Sequence, residues 1–456
     1  MITQIRAENF KSWKDTGPLR LGKLTGLFGT NSSGKTSILQ MLLMLKQTVE
    51  SPDRRRVLHT GDERSLVDLG TFYDLIYGHQ AEAKVGLSLS WVLREPLTIP
   101  DPKREGIELF RVKELSFTSI IRKAADRPVV EYFAYEFDSQ SFGMKRNGGE
   151  GSADKDQYTL LHGNYGLKRA RGRPAPLPSP VKCYGFPDEA MGYYQNTGFL
   201  PSFVLELERV FSQISYLGPL REYPKRSYVW AGERPVDVGR RGEQAIPALL
   251  AAHAERLTSG RLRRKYRLHK PIEELIAGWL QTMGLIETFS LKPIAPNRKD
   301  YEVRVKRSAS SAEVLITDVG FGVSQILPVL VLCYYVPPGS TILLEQPEIH
   351  LHPSVQAGLA DVFIDVVKER DVQIIVESHS EHLLRRLQRR IAEGTLPPDD
   401  TALYFCRMED GTSQIEPLDV TLFGDITNWP KGFFGDEMGD LFAMTEAAMR
   451  RQEANP

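Results

Sequence analysis

Over the first thirty residues apolar and polar positions alternate with a period of two, in ITQIRAENF and then LRLGKLTGLFG, which predicts short strands. The pattern then changes. SILQMLLMLKQTV carries apolar residues on nearly every face and predicts a buried helix. From 81 to 165 alternation returns in VGLSLSWVL, IELFRVKELSFTSII and VVEYFAYEFD, again predicting short strands, interrupted by the turn cluster RNGGEGSADKD. The proline-rich and basic stretch RARGRPAPLPSPVK (169–182) reads as a surface loop or hinge. Helical spacing resumes in FLPSFVLELERVFSQI and PIEELIAGWLQTMG.

Beyond residue 312 strands and helices take turns. VLIT is followed by a glycine turn and a helix, then TILLE, SVQAGLADVFIDVVKER, VQIIVES and EHLLRRLQRRIAEG. That alternation predicts a mostly parallel α/β sheet. No heptad run is sustained over several turns, so no long coiled coil is expected, and no internal repeat is visible.

Composition narrows this picture only a little. A chain of 456 residues suggests two or three domains. Lys plus Arg and Asp plus Glu both number 58, so the whole chain has no basic excess, and any nucleic-acid site must be a local patch. Three such patches stand out: KRARGR (168–173), SGRLRRKYRLHK (259–270) and RRLQRR (385–390). Each is either a phosphate-binding surface for DNA or a solvated face paired with acids. Cys183, Cys333 and Cys406 have no metal-like spacing and read as buried thiols. The opening MITQIRAENFKSW lacks the apolar core of a signal peptide, and ILPVLVLCYYV (326–336) is too short for a bilayer. A cytoplasmic protein without membrane contact is expected.

The sharpest chemical signal is GTNSSGKT (29–36), which fits G-x-x-x-x-G-K-[ST] between a strand-like segment and a strong helix. Its glycines allow successive N–H groups to face phosphate oxygens, and the helix N-terminus adds its dipole. Asn31, Ser32, Ser33, Gly34, Lys35, Thr36 and Ser37 are therefore expected to hold a nucleoside triphosphate. Lys35 would meet the β- and γ-phosphates, and Thr36 would hold Mg²⁺.

Four further segments resemble the ABC-type ATPases, in particular the RecF-like and OLD-like branch of AAA proteins related to SMC heads. The opening I-x-x-I-x-x-x-N-F-K-S-W (Ile2 to Trp13) resembles their N-terminal hairpin. DVGFGVSQILPVL (318–330) stands where the signature belongs, TILLEQPEIHLHP (341–353) at Walker B, and IIVESHSEHLL (374–384) at the switch histidine. YLGPLREYPKRSYVW (216–230) and GRRGEQ (239–244) resemble a subset of that branch that writes E-Q-P-E at Walker B. The resemblance covers about 1–50 and 312–395 well. It implies an α/β P-loop NTPase with an ABC/SMC-head-like mixed sheet, a β-rich insertion and a short C-terminal appendage. The corresponding boundaries are 1–95, 96–215, 216–400 and 401–456. The residues after the last helical pattern are too few for a Toprim nuclease domain, and Asp436, Glu437 and Asp440 read as the solvated start of a helix.

The resemblance also assigns roles. Glu345 takes the place of the acid that serves Mg²⁺, Gln346 that of the general base, and His379 that of the switch histidine. An amide cannot accept a proton at neutral pH, although it can orient a water. Two nearby carboxylates are candidates to substitute: Glu348 after the proline, and Glu377 at the end of the neighbouring strand. Gly320, Gly322 and Ser324 are the available signature residues, with the serine displaced from its usual place. Arg221 and Arg226 are expected either to approach the nucleotide or to hold a loop. His350 and His352 read as loop packing, not as metal ligands.

The function implied is slow ATP hydrolysis with Mg²⁺ by a homodimer or higher homo-oligomer that controls a separate effector, such as a nuclease, in bacterial anti-phage defence. The alternatives are a RecF-like DNA-repair ATPase that binds DNA, and an ATP-gated clamp in which Gln346 has ended hydrolysis.

Overall fold

The computed structural model describes residues 1–80, 82–101, 106–124, 127–147, 157–170, 176–257, 270–430, 433 and 437–454; for Phe321, 437–441 and 452–454 it gives the backbone alone. Two large sheets organise these residues. The first has eight strands and is antiparallel, in the order Trp13–Asp15, Ile2–Phe10, Lys84–Pro100, Glu108–Ala124, Arg127–Phe137, Gln140–Asn147, Gln157–Leu161, with Leu19–Arg20 also paired to Ile2–Phe10. One face is buried, so side chains alternate between core and surface. Its core is aromatic: Phe137, Phe142, Phe199 and Phe203 stack or meet edge to face. The last two come from the Leu200–Ser212 helix and the residue before it.

The second sheet has six strands, in the order Ile214–Leu217, Thr341–Glu345, Gln373–Glu377, Leu24–Gly29, Thr401–Glu409, Thr412–Pro417. All pairings are parallel except the final hairpin. The four strands from Ile214 to Gly29 in that order are buried at every position, as a sheet covered on both faces requires. Period two still sorts their side chains. Leu343 and Ile375 join the core of the Lys35–Glu50 helix and the antiparallel sheet. Ile342, Leu344, Ile374 and Val376 join the helices Phe321–Tyr335, Pro353–Arg370 and Glu381–Ala392 on the other side. A smaller sheet of Tyr228–Val229, Asp300–Lys306, Thr288–Pro293 and Val314–Leu315 stands beside these helices.

The mixed α/β architecture is the expected one, and its sheets run across two of the expected boundaries. Lys84–Pro100 crosses the 95/96 boundary and pairs with both Ile2–Phe10 and Glu108–Ala124, so the N-terminal hairpin and the β-rich segment share one sheet. At seventeen residues each, Lys84–Pro100 and Glu108–Ala124 are long strands, not short ones. Thr401–Glu409 pairs with the Leu24–Gly29 strand from Thr401↔Leu24 to Cys406↔Gly29, which carries the parallel sheet past the 400/401 boundary. Thr401 and Leu24 lie 377 residues apart and Ile2 and Trp91 lie 89 apart, and composition reports neither pairing.

Buried polar side chains tie the two sheets together at the N-terminal ends of the parallel strands. Gln373 accepts from Ile2 N (3.1 Å) and donates to the carbonyls of Ile2 (2.7 Å) and Gly22 (2.9 Å), while Thr341 donates to its Oε1. Arg370 donates to the carbonyls of Cys333 and Val336, both at 2.9 Å, closing the C-terminus of the Phe321–Tyr335 helix. Among the described residues no helix is long and apolar enough to cross a membrane.

Candidate functional site

The opposite, C-terminal ends of the parallel strands carry the candidate residues, at the usual place for ligand chemistry in such a sheet. Strand Leu24–Gly29 runs into a loop that needs two glycines. Gly29 has φ 137° and a Cβ there would collide with the Cys406 carbonyl; Gly34 has φ 87° and a Cβ would meet the hydroxyls of Ser413 and Ser12. Trp13 Nε1 donates to the Gly34 carbonyl (3.0 Å), so the N-terminal hairpin braces the loop. Asn31 and Ser32 are exposed on its outer side, Ser33 is buried, and Ser37 N donates to Gly34 O at 3.1 Å.

Lys35 opens the helix and is buried. Its ammonium donates to the carbonyls of Thr30 (2.7 Å) and Gly29 (3.2 Å) and to Ser33 Oγ (3.3 Å). Burial lowers its pKa, against the upward pull of Glu377, Cys406 and Glu348. Thr36 Oγ1 donates to both oxygens of Glu377, at 2.8 and 3.0 Å. Gln346 stands in the left-handed region at φ 43°, with its N–H on the Glu377 carbonyl (2.8 Å) and Nε2 donating to Glu377 Oε1 (3.4 Å). Glu377 therefore joins the phosphate-loop threonine to the glutamine.

Glu345 has a different hydrogen-bond partner. It is the register partner of Glu377, but its carboxylate takes a hydrogen bond from the Tyr216 hydroxyl and lies near Arg221. Burial, then repulsion from Glu377, raises its pKa to about 7. Glu348 Oε1 accepts from His379 N at 2.7 Å, and its Oε2 is buried with no hydrogen-bond partner. Burial raises the Glu348 pKa. The half-buried His379 ring donates to the Gly29 carbonyl, and both burial and the Lys35 charge lower its pKa.

Among the sequence candidates, Lys35, Thr36, Gln346, Glu377 and His379 thus come together at these strand ends. The acid bonded to Thr36 is Glu377, whereas Glu345, expected to share magnesium with Thr36, accepts from the Tyr216 hydroxyl. Among the described residues no group of three His, Cys, Asp or Glu side chains is arranged for a metal. A magnesium ion nonetheless fits the donors present, because it is held by one or two protein oxygens with the substrate phosphates and water completing its shell. Thr36 Oγ1 with the Glu377 carboxylate behind it is such a pair.

The signature candidates lie elsewhere. Gly320 is exposed and caps the Phe321–Tyr335 helix, Gly322 is half-buried, and Ser324 is buried beside a small cavity also lined by Tyr228, Ile246 and Ile316. Arg226 is exposed and paired with Asp318 at 3.3 Å. His352 Nδ1 accepts from Ser354 N and caps the Pro353–Arg370 helix. In RRLQRR, Arg386 and Arg390 pair with Asp361, Arg385 with Glu381, and Arg389 with Glu393, the solvated-face arrangement. Most of 259–270, residues 171–173 and Asp436 lie outside the described residues, as do the side chains of Glu437 and Asp440. All three cysteines are free and buried. The roles of Tyr216 and the Glu348–His379 link were not foreseen; the one signal for Tyr216 was its place at the start of YLGPLREYPKRSYVW.

A covered parallel sheet, with a phosphate loop at one strand end and acids, glutamine and histidine at the next two, defines a P-loop domain of mixed α/β fold. Sequence comparison agrees over part of the chain. Residues 266–384, which hold the signature-like turn and the Glu345 and Glu377 strands, match the model of the AAA ATPase domain. Residues 396–444 match a model described as Protein of unknown function (DUF3696). No curated protein matches the chain.

Among solved structures, a SMC head bound to the C-terminal winged-helix domain of ScpA aligns at 12% identity and TM-score 0.47, covering 92% of this chain and 98% of that one. The SMC head domain of Thermotoga maritima aligns at 10% identity and TM-score 0.41 (92% and 99%). A Pyrococcus furiosus Smc head with an extended coiled coil aligns at 11% and 0.43 (92% and 96%).

Proposed function

We propose that this chain is a slowly hydrolysing ABC-type ATPase that self-associates with ATP and controls a separate effector. The chain of hydrogen bonds from Thr36 through Glu377 to Gln346 carries the reading. Lys35 and the loop N–H groups hold the phosphates, and their fixed dipoles stabilise charge that builds up during transfer. Magnesium, when bound, neutralises phosphate charge. Gln346 aims a water with its amide but takes no proton from it, and Glu377 accepts from that amide. Phosphoryl transfer tolerates this because it depends on positioning and charge more than on a strong base. Slow turnover is the consequence.

The exposed helix start at Gly320 offers backbone N–H groups for an anion presented by a second copy. Acids neutralise the arginines of the Glu381–Ala392 helix, which favours a protein effector over DNA on that face. By the resemblance described above, the effector is a nuclease-like partner in anti-phage defence.

The test is phosphate release from Mg-ATP, with oligomer size followed by light scattering, for the wild type, Lys35→Ala and Gln346→Glu. The wild type should release phosphate slowly, Lys35→Ala should be silent, and Gln346→Glu should be several-fold faster. Assembly of the wild type with ATP but without phosphate release would make it a nucleotide-gated clamp.

A further inference from the structure

Two buried arginines give opposite pictures. Arg370, 7% exposed, places its guanidinium on two backbone carbonyls. Arg221, 8% exposed, has no hydrogen-bond partner for Nε or Nη1. Leaving a charged donor buried and unbonded is costly, and it calls for a partner from outside the protein, such as a water or an anion. Burial lowers the Arg221 pKa to about 10, with Tyr216, Glu345 and Glu348 opposing that shift.

Its position narrows the role. Arg221 follows the Ile214–Leu217 strand at the same edge of the sheet as Glu345 and Glu377. Glu348 lies in the same cluster, its Oε1 accepting from His379 N at 2.7 Å. Glu348 Oε2 is the other unbonded polar atom of this cluster. The two groups need opposite partners: an anionic oxygen for the guanidinium and a proton donor for the carboxylate. A terminal phosphate and its attacking water supply both. The loop is held to receive them, since Gly218 N and Glu222 N donate to the carbonyls of Arg240 and Arg241, both at 2.8 Å, and Glu243 accepts from Arg241 N at 2.8 Å.

We propose that Arg221 is the cation that binds the terminal phosphate of the nucleoside triphosphate, supplied within the same chain, a proposal that rests on the ATPase reading above. Its planar fork suits phosphate oxygens, and its contact is made to the group that distinguishes a triphosphate from a diphosphate.

The experiment is calorimetric titration of Mg-ATP and Mg-ADP into the wild type, Arg221→Met, Arg221→Lys and Lys35→Ala. Arg221→Met should weaken ATP at least tenfold and leave ADP within twofold; Arg221→Lys should fall between it and the wild type for ATP alone. Should the methionine variant fail to fold, the lysine variant decides. Equal weakening of ATP and ADP, or no change in either, overturns the proposal in favour of a structural arginine. Lys35→Ala should weaken both nucleotides. A wild type that binds neither removes the ATPase reading and this proposal together, and is thereby distinguished from failure of the arginine alone.

Discussion

The two ends of the parallel sheet are built by different rules. At the N-terminal ends every buried polar group named above is bonded: Gln373 to Ile2, Gly22 and Thr341, and Arg370 to two helix-end carbonyls. At the C-terminal ends, a few residues further along the same strands, Glu345 is held near neutrality, Gln346 is in a left-handed conformation, and Arg221 and Glu348 carry unbonded atoms. One end is arranged for stability, the other for a ligand, and strain and unpaired charge are tolerated where the ligand is expected to bind. Substitutions should therefore act on stability at the first end and on nucleotide chemistry at the second.

The largest effect expected is that of Lys35→Ala, which should remove phosphate release altogether while leaving the melting temperature within a few degrees, as read by a coupled phosphate assay and circular dichroism. At the opposite end, Arg370→Met leaves two buried carbonyls without donors and should cost about 2–5 kcal/mol in urea unfolding, with nucleotide affinity unchanged in the fraction that remains folded. If instead the Arg370 variant loses nucleotide binding at full stability, the division between the two ends fails.

A subtler contrast concerns pH. The folded pKa of Glu345, about 7, lies above its ordinary 4.5, so the folded state binds more protons than the unfolded state between those values. Stability from this group is full below about 4.5 and is lost as pH rises through 7, by about 3 kcal/mol. Glu345→Gln should therefore flatten the decline in melting temperature of the nucleotide-free protein between pH 5 and 8; an unchanged slope would show that another group causes it. The smallest effect belongs to the surface. Arg385→Ala removes an exposed ion pair with Glu381 and should change stability by no more than about 0.5 kcal/mol.

What could be read in the sequence follows the same division. The phosphate loop, Gln346 and the switch-like His379 lie in short contiguous motifs, and the structure brings them to adjacent strand ends. Glu377 was legible as a strand end next to Glu345, because parallel register follows from the βα alternation. Its bond to Thr36, 341 positions away, was not. Arg221 stood out in the sequence only as one of two arginines in a loop; its burial beyond the Ile214–Leu217 strand is a product of strand order. The same reason hid the seams of the fold. Alternation located the strands of the antiparallel sheet but neither their length nor their pairing with the N-terminal hairpin, and Thr401–Glu409 gives no local sign that its neighbour is the phosphate-loop strand.

Steady-state phosphate release for Glu377→Gln beside Glu345→Gln, at equal folded concentration and saturating Mg-ATP, measures most directly which acid serves the phosphate-loop threonine. Glu377→Gln should lose at least tenfold more activity than Glu345→Gln. A silent Glu345→Gln beside an active Glu377→Gln would contradict the assignment to Glu377, returning the central role to the acid before Gln346.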